Sequence, residues 1–250
     1  PGGDRTRLGR GPTGEGQVRA GVETTPGESV ETNGLLVSTV AGEWGAEATD
    51  RGVVADDSEA LKQAIGADTD HDIVVTTGGS SVGDRDLVAD AVADIGEMHV
   101  HGVGLTPGHP VGFGTVDDTV VLVLPGYPVS CLVTAVQFLR PAIAWLTGTD
   151  PTPHPTVTGL LAGKIRREPG NRTFARVRFA AGSELAARAG AGIEVVRPDH
   201  LTHLAGRRDP VNVVGVLSGG ALDPRLDVGA VRAVADVVQE RRGAPARRRP

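Results

Sequence analysis

Apolar residues along the first 150 positions follow two alternating patterns, short continuous runs and stripes at helical spacing. The runs at 72–77 and 119–124 consist mostly of Val, Ile, Leu and Thr, which is typical of strands buried on both faces. Segments 57–66, 86–95 and 129–146 instead carry apolar residues at helical spacing. This alternation predicts a mostly parallel sheet with helices on both faces, a three-layer α/β fold.

Further elements are predicted on either side of these. Segments 46–54 and 98–105 have the pattern of strands, and a helix is predicted to begin after residue 31. The residues expected on the buried face of that helix are Leu35, Leu36, Val40 and Trp44.

The two ends of the chain are different in character. Residues 1–11 contain a single aliphatic residue, Leu8, so no strand is predicted before Thr13. After a proline-rich linker at 150–155, the segments with an apolar pattern are 156–162, 173–179 and 211–217, predicted as strands, and 228–240, predicted as a helix. We therefore expect a poorly defined N-terminus at 1–12, an α/β domain at 13–149, and a small, incomplete β domain at 150–250 with an irregular, Arg-rich end.

Composition narrows the class of protein. A single cysteine, Cys131, excludes an internal disulfide framework and favours a cytoplasmic protein. No apolar run long enough to span a membrane is expected. The net charge is −6, and Lys62 and Lys164 are the only lysines, an acidic and lysine-poor composition typical of halophiles or of a GC-rich genome. The arginine tail has no aromatic residues, so nucleic acid is not an expected partner.

Glycine-rich loops follow the two predicted buried strands. The first, Thr76-Thr-Gly-Gly-Ser-Ser-Val-Gly-Asp-Arg-Asp86, offers backbone N–H groups and hydroxyls at its start and carboxylates at its end. The second, Pro125-Gly-Tyr-Pro-Val-Ser130, opens the next helix. Ligands of open α/β sheets bind at the carboxyl ends of the strands, so we expect both loops to face one pocket for an anionic substrate and a metal ion. The plainer alternative is that each loop only connects a strand to a helix.

These motifs resemble a known family. The first loop, Pro107-Gly-His-Pro110 and Leu124-Pro-Gly-Tyr-Pro-Val-Ser130, in this order, are similar to the MoeA family of molybdopterin molybdenumtransferases, which is related to the E domain of gephyrin. Asn171-Arg-Thr-Phe-Ala-Arg-Val177 resembles the start of that family's C-terminal β domain. The resemblance implies a MogA-like, molybdopterin-binding fold for 13–149. It also implies that two further domains precede this region in the family.

The resemblance further implies a reaction and a set of residues. The reaction is the insertion of molybdate into adenylylated molybdopterin with release of AMP, assisted by Mg²⁺. The implied catalytic residues are Glu15, Asp56 and Asp86, and the implied metal ligands are Asp56, Asp84 and Asp86. The implied substrate-binding residues are Thr76, Thr77, Gly78, Gly79, Ser80, Ser81, Gly83, Pro107, Gly108, His109, Pro125, Gly126 and Ser130.

Several of these assignments have structural alternatives. Asp56 is equally suited to be a helix N-cap, and Asp84 and Asp86 to stabilise the dipole of the next helix. His99 and His101 point to one face of a strand, which fits a solvated face or a metal pair. The family's pattern carries lysines where this chain has Gly102, Thr106 and His109, so an anion here depends on backbone donors, a histidine or another subunit.

Two other functions remain open from the sequence. The first loop is shared with molybdopterin adenylyltransferases, which would use ATP rather than molybdate. The missing lysines also suit an inactive pterin-binding or oligomerising module. The partners that the resemblance implies are the pterin substrate, molybdate, a second copy of the chain in a homodimer and the adenylyltransferase, with no membrane partner.

Overall fold

The computed structural model of the chain describes residues 6–13, 17–18, 21–79, 86–151, 171–177, 192–196 and 213–218. These residues fall into two units. The first contains the described residues up to Val103 and those from Gly108 to Pro151, and the second contains Gly104–Pro107 and the described strands beyond residue 170. Each unit is described by itself.

Strands and helices alternate from residue 29 to residue 101. The strands are β1 Thr6–Pro12, β2 Gln17–Val18, β3 Ser29–Val30, β4 Ala46–Asp50, β5 Ile73–Thr77, β6 Glu97–His101, β7 Leu105–Thr106, β8 Gly112–Val116, β9 Thr119–Leu124, β10 Arg172–Val177, β11 Gly192–Val196 and β12 Val213–Ser218. The helices are α1 Asn33–Glu43, α2 Ser58–Gly66, α3 Leu87–Ile95, α4 Pro128–Thr134 and α5 Arg140–Leu146.

A six-stranded sheet in the order β4-β1-β5-β9-β8-β6 forms the middle layer of the first unit. Strands β4, β1, β5 and β9 are parallel neighbours, while β8 runs antiparallel to both β9 and β6. Strand β6 therefore runs in the same direction as β9. The mostly parallel α/β sheet predicted from the sequence is confirmed.

Both faces of this sheet are covered by helices. On one face, Val74 of β5 packs with Val121 and Val123 of β9 in a cluster that includes residues of α2 and α3. Alternation along a strand directs Val75 and Leu122 to the opposite face, and both are fully buried there. Helices α1 and α4 contact each other and cover that second face.

The N-terminal strand corrects the expectation that residues 1–12 lack regular structure. Strand β1 lies between β4 and β5 and pairs with both, and Leu8 is fully buried. A Cβ at Gly9 would lie 2.6 Å from a carboxylate oxygen of Asp68, so the small residue permits close packing. Hydrophobic content understates this strand because pairing on both sides, and not apolar side chains alone, stabilises it.

Helix α1 begins where predicted, and Val40 is buried as expected, but the rest of its buried face differs from the prediction. Its buried apolar residues are Val37, Val40 and Ala41, at the i, i+3 and i+4 positions of one stripe. Leu35, predicted to be inward, is 61% exposed. The prediction chose the larger apolar side chains, whereas packing on β1 and β4 selects the smaller ones.

Helices α4 and α5 are continuous through a π-helical turn at Ala135–Leu139, and Pro141 lies in the first turn of α5. The whole segment, Pro128–Leu146, is long and apolar enough to cross a membrane by length and composition. No such segment was expected from the sequence. Half of its most apolar window is buried inside the protein, as is usual for the core helix of a globular domain.

The second unit contains a four-stranded sheet in the order β11-β12-β10-β7. Strands β10 and β12 confirm the strands predicted near 173–179 and 211–217, and β11 was not predicted. The strand predicted at 156–162 and the helix predicted at 228–240 lie outside the described residues.

Truncation of Leu8 tests whether the N-terminal strand belongs to the core. We expect Leu8→Ala to lower the free energy of unfolding by about 2–5 kcal/mol, because a fully buried leucine leaves a cavity. The matched control, Leu35→Ala, removes the same atoms from an exposed position and should change it by less than about 0.5 kcal/mol. Urea unfolding followed by fluorescence of Trp44 and Trp145, the only two tryptophans, measures both. Equal effects of the two variants would contradict a core position for β1.

Candidate functional site

Three parallel strands end side by side at one edge of the first sheet, and backbone hydrogen bonds join the segments that follow them. The N–H of Thr13, just after β1, donates to the carbonyl of Thr77 at 2.9 Å. The N–H of Gly78, just after β5, donates to the carbonyl of Leu124 at 3.0 Å. The two glycine-rich loops predicted from the sequence therefore start from adjacent positions. The N–H of Gly78 is used in this contact and is not available to an anion.

Glycine is required in the first loop for two reasons. Gly78 and Gly79 have φ values of +88° and +64°, which side-chain-bearing residues rarely adopt. A Cβ at Gly78 would also lie 2.6 Å from the carbonyl oxygen of Thr13, and one at Gly79 would lie 2.7 Å from Val88. A larger residue at Gly79 therefore disturbs the fold itself, so loss of ligand binding in such a variant would not identify a binding residue.

The second loop lies directly against the first. A Cβ at Gly126 would be 3.1 Å from the Cα of Gly78, so the two backbones are in van der Waals contact. Pro125 is buried, Ser130 is half-buried, and Tyr127 is 82% exposed. The described start of the first loop, residues 76–79, and the second loop, residues 125–130, thus form one surface in which the ring of Tyr127 is exposed. We call this surface the two-loop site.

Buried hydroxyl groups lie at this edge without hydrogen-bond partners. The Oγ1 atoms of Thr13, Thr76 and Thr77 are all buried and have none among the described residues, although the three side chains are at most 3% exposed. Buried polar groups in native proteins are usually paired, and an unpaired one calls for an explanation such as a bound ligand or water. Thr76 and Thr77 were predicted as binding residues, whereas Thr13 was not.

Asn33 is a further polar residue at the site that sequence reasoning missed. It is the first residue of α1, it is 6% exposed, and its Nδ2 donates to the carbonyl of Gly126 at 2.6 Å. Its Oδ1 is buried and has no partner among the described residues. The cap of this helix is supplied instead by Glu31, whose carboxylate accepts from the N–H of Gly34 at 2.6 Å. From the sequence alone, a polar residue at the start of a helix is interpreted as an N-cap. The sequence therefore does not reveal the contact between Asn33 and Gly126.

Asp86 has two structural partners. Its Oδ1 accepts from the N–H of Ala89 at 3.0 Å and so caps α3, and its Oδ2 lies 2.8 Å from Nε2 of His101. The carboxylate is 5% exposed, while His101 is half-exposed at the end of β6. Asp86 therefore stabilises α3, as the structural alternative predicted. It also contacts His101, which the sequence did not reveal.

The cap of α2 is the next residue after Asp56. Asp57 is the N-cap, and its Oδ1 accepts from the N–H of Ala60 at 2.9 Å. Asp56 is half-buried and lies two residues after Val54, which forms a bridge with Thr13 at the carboxyl end of β1. The structural alternative for Asp56, a helix N-cap, is thereby removed.

The histidines near the site have fixed ring orientations. His109 lies 2.5 Å through Nδ1 from the carbonyl of Val103, so Nδ1 must be the donor and Nε2 remains for other contacts. Gly102, beside this ring, has a φ of +83°, which side-chain-bearing residues rarely adopt. His99 and His101 do lie on the exposed face of β6, and His99 contacts Thr115 through Nε2 at 2.9 Å.

Seven further residues were predicted to belong to the site. Glu15, Ser80, Ser81, Gly83 and Asp84 lie outside the described residues. Pro107 belongs to the second unit, where it follows β7, and Gly108 is buried in the first.

A separate cluster of titratable groups lies at the opposite end of the sheet. Asp68, Asp70 and His71 place their ligand atoms within 4.8 Å of one another. Arg51 donates to Asp68 through Nε at 2.8 Å, and the Asp68 carboxylate raises the pKa of Arg51 through hydrogen bonding and charge. Arg7 forms an ion pair with Asp70. These arginines neutralise the acidic groups, which marks the cluster as an ion-pair network rather than a binding centre.

The fold is an α/β domain with a mostly parallel sheet, and a family match identifies its class. The sequence profile of the family described as "Probable molybdopterin binding domain" matches residues 17–145, just over half of the chain. The chain belongs to this family, and the resemblance to MoeA proteins is confirmed.

Individual relatives agree with this assignment. Over 137 residues the chain is 33% identical to a molybdopterin molybdenumtransferase of Haemophilus influenzae, covering 54% of this chain and 34% of that protein. It is 35% identical over 149 residues to the enzyme of the same name from a Nostoc species, covering 58% and 34%. A solved MoeA protein of Pyrococcus horikoshii matches the fold with a TM-score of 0.58 at 24% identity, covering 85% of this chain and 54% of that one. The chain thus spans about a third of the length of the curated relatives it matches.

The two capping aspartates provide a matched pair of variants. We expect Asp57→Ala to lower the free energy of unfolding by about 1 kcal/mol, the usual cost of losing an N-cap. Asp86→Ala should cost about 1–3 kcal/mol more, because it also removes a buried contact to His101. Urea unfolding of the two variants measures the difference. Equal losses would show that the His101 contact contributes nothing to stability.

The single cysteine gives a pH-dependent prediction. Burial, with a smaller effect of Glu31, raises the pKa of the Cys131 thiol from 9.0 to about 12. The unfolded chain can ionise this thiol above pH 9 while the folded chain cannot, so its contribution to stability is complete below pH 9 and is lost as the pH rises toward 12. Between pH 8 and 10.5 wild-type stability should fall by about 1–2 kcal/mol more than that of Cys131→Ala. Parallel pH dependences of the two proteins, by urea unfolding, would contradict the shift.

Proposed function

We propose that this chain carries the substrate-binding domain of a molybdopterin molybdenumtransferase, which inserts molybdate into adenylylated molybdopterin with release of AMP. The observation that carries the proposal is the two-loop site with its unpaired buried threonine hydroxyls, in a chain of the molybdopterin-binding family. Relatives with the molybdenumtransferase name match the same region.

The chemistry of the site suits a substrate rich in phosphate. Threonine hydroxyls donate to phosphate oxygens, and Thr76 and Thr77 stand at the end of β5, where the first loop begins. Ser80 and Ser81 continue the same loop in sequence and supply further donors. His109, with Nδ1 held by Val103, offers Nε2 at the place where the family carries a lysine. These groups would hold the pyrophosphate and molybdate without lysine.

Magnesium is the cofactor that we propose for this site. Asp56 and Asp86 lie at the N-terminal ends of α2 and α3, two helices that pack against each other, and carboxylate oxygens are ligands that Mg²⁺ prefers. Both oxygens of Asp86 already accept a hydrogen bond but keep a second lone pair, so a further ligand is possible. Asp84 and Glu15 complete the proposed acidic set. When bound, the metal would neutralise charge on the substrate phosphates.

The assembly that we propose is a homodimer in the cytoplasm, which receives its substrate from a molybdopterin adenylyltransferase. Both expectations come from the family resemblance. Light scattering of the purified chain measures the dimer directly, and a monomer would remove that part of the proposal without affecting the site.

An AMP-release assay tests the reaction. The purified chain is incubated with adenylylated molybdopterin, with and without molybdate, and AMP is measured by chromatography. We expect release that depends on molybdate and on Mg²⁺. ATP-dependent formation of adenylylated molybdopterin would identify the adenylyltransferase instead, and binding without release would identify an inactive module.

A threonine replacement tests the role of the unpaired hydroxyls. Thr77→Val keeps the shape of the side chain and removes a buried hydroxyl that has no partner among the residues the structure describes, so the free energy of unfolding should stay the same or rise. Molybdate-dependent AMP release should nevertheless fall about tenfold or more, since a hydrogen bond to a charged phosphate is lost.

The control is Thr39→Val, the same change on the exposed face of α1, which should leave AMP release unchanged. A Thr77→Val protein with full activity would exclude this hydroxyl from substrate binding. A marked loss of stability would show that the hydroxyl has a structural partner.

A further inference from the structure

We propose that Asn33 contacts the substrate directly and that its Oδ1 accepts a hydrogen bond from an N–H of the substrate's nitrogen-containing ring. This inference rests on the proposed function and deepens it, because it assigns one part of the substrate to one residue.

The orientation of the Asn33 amide is determined by its neighbour. Nδ2 lies 2.6 Å from the carbonyl oxygen of Gly126, and a carbonyl oxygen can only accept. The nitrogen must therefore face Gly126, and Oδ1 must point elsewhere. An exchange of the two amide atoms would bring two acceptors together.

The remaining atom, Oδ1, is a buried acceptor that the described residues leave unpaired. The side chain is 6% exposed, and Oδ1 itself is shielded from solvent. Unlike a hydroxyl, an amide oxygen cannot rotate to become a donor, and rotation about the amide is prevented by the contact with Gly126. Its partner must therefore bring an N–H or O–H group to it.

This requirement selects the part of the substrate that can bind there. Phosphate oxygens that are ionised and molybdate oxygens offer only acceptors, and they would repel Oδ1. The pterin and adenine rings both carry amino groups and are the obvious donors. The location agrees, because Gly126 contacts Gly78 of the first loop and precedes the exposed ring of Tyr127, against which a flat heterocycle can stack.

Two pairs of matched ligands show whether the pterin or the adenine ring binds Asn33. They also distinguish the loss of this one contact from a general loss of binding in the variant. Calorimetry compares AMP with inosine monophosphate, which has an oxygen in place of the adenine amino group. It also compares 6-methylpterin with 6-methyllumazine, which has an oxygen in place of the 2-amino group. The wild-type chain should prefer the amino-bearing member of one pair by roughly tenfold or more, and the pair that shows the preference identifies the ring.

Asn33→Ala should reduce that preference to about onefold. Because each preference is a ratio within one protein, a general weakening caused by the lost Gly126 contact cancels. The control, Ser38→Ala, removes a side chain–backbone hydrogen bond from the same helix and should keep the wild-type preference. Circular dichroism checks that both variants are folded. If Asn33→Ala is not folded, Asn33→Ser is used for the same comparison.

Three results would overturn the proposal: an unchanged preference in the Asn33 variant, no preference in the wild-type chain, or no binding of any of the four compounds. In each case a buried water would be the partner of Oδ1. The AMP-release assay decides the proposed function separately, since a chain that releases AMP but shows no Asn33-dependent preference retains the function and loses only this inference.

Discussion

The carboxyl edge of the central sheet depends on contacts that no side chain beyond hydrogen can occupy. Gly78 lies against the backbone of Thr13 on one side and against Gly126 on the other, and its own N–H is bonded to Leu124. Three chain segments far apart in sequence are thereby held at van der Waals distance. The buried threonine hydroxyls and the contact between Asn33 and the second loop lie at the same edge.

Polar groups at this edge make structural hydrogen bonds and still keep a lone pair or a ring nitrogen for a further contact. Asp86 caps a helix with one carboxylate oxygen and orients an imidazole with the other, and each oxygen still has a lone pair. His109 donates from one ring nitrogen to a backbone carbonyl and keeps the other. Such fixed orientation reduces the conformational entropy lost when a ligand binds. It also means that variants of Asp86 are expected to change stability, because both of its carboxylate oxygens have structural partners.

The sequence predicted those elements whose stabilisation is local or strongly apolar. The sequence located β5, β9, α2 and α3 to within one or two residues. This succeeded because the apolar positions of these segments are the positions that become buried. Strand β1 was missed because its composition is mostly glycine and arginine, and its stability comes from pairing with two other strands. The buried face of α1 was assigned to the larger leucines, although packing on the sheet decides which residues of a helix become buried.

By itself, the sequence determined the α/β class, the positions of the two glycine-rich loops and the family to which their motifs belong. Glycine, proline and threonine in that order restrict the backbone locally, so these features need no knowledge of the rest of the chain. Only the tertiary structure decided that His101 contacts Asp86 and that Asn33 reaches Gly126 across 93 positions of sequence. Strand order and helix packing determine which distant residues become hydrogen-bond partners. Neither can be inferred from a local sequence pattern.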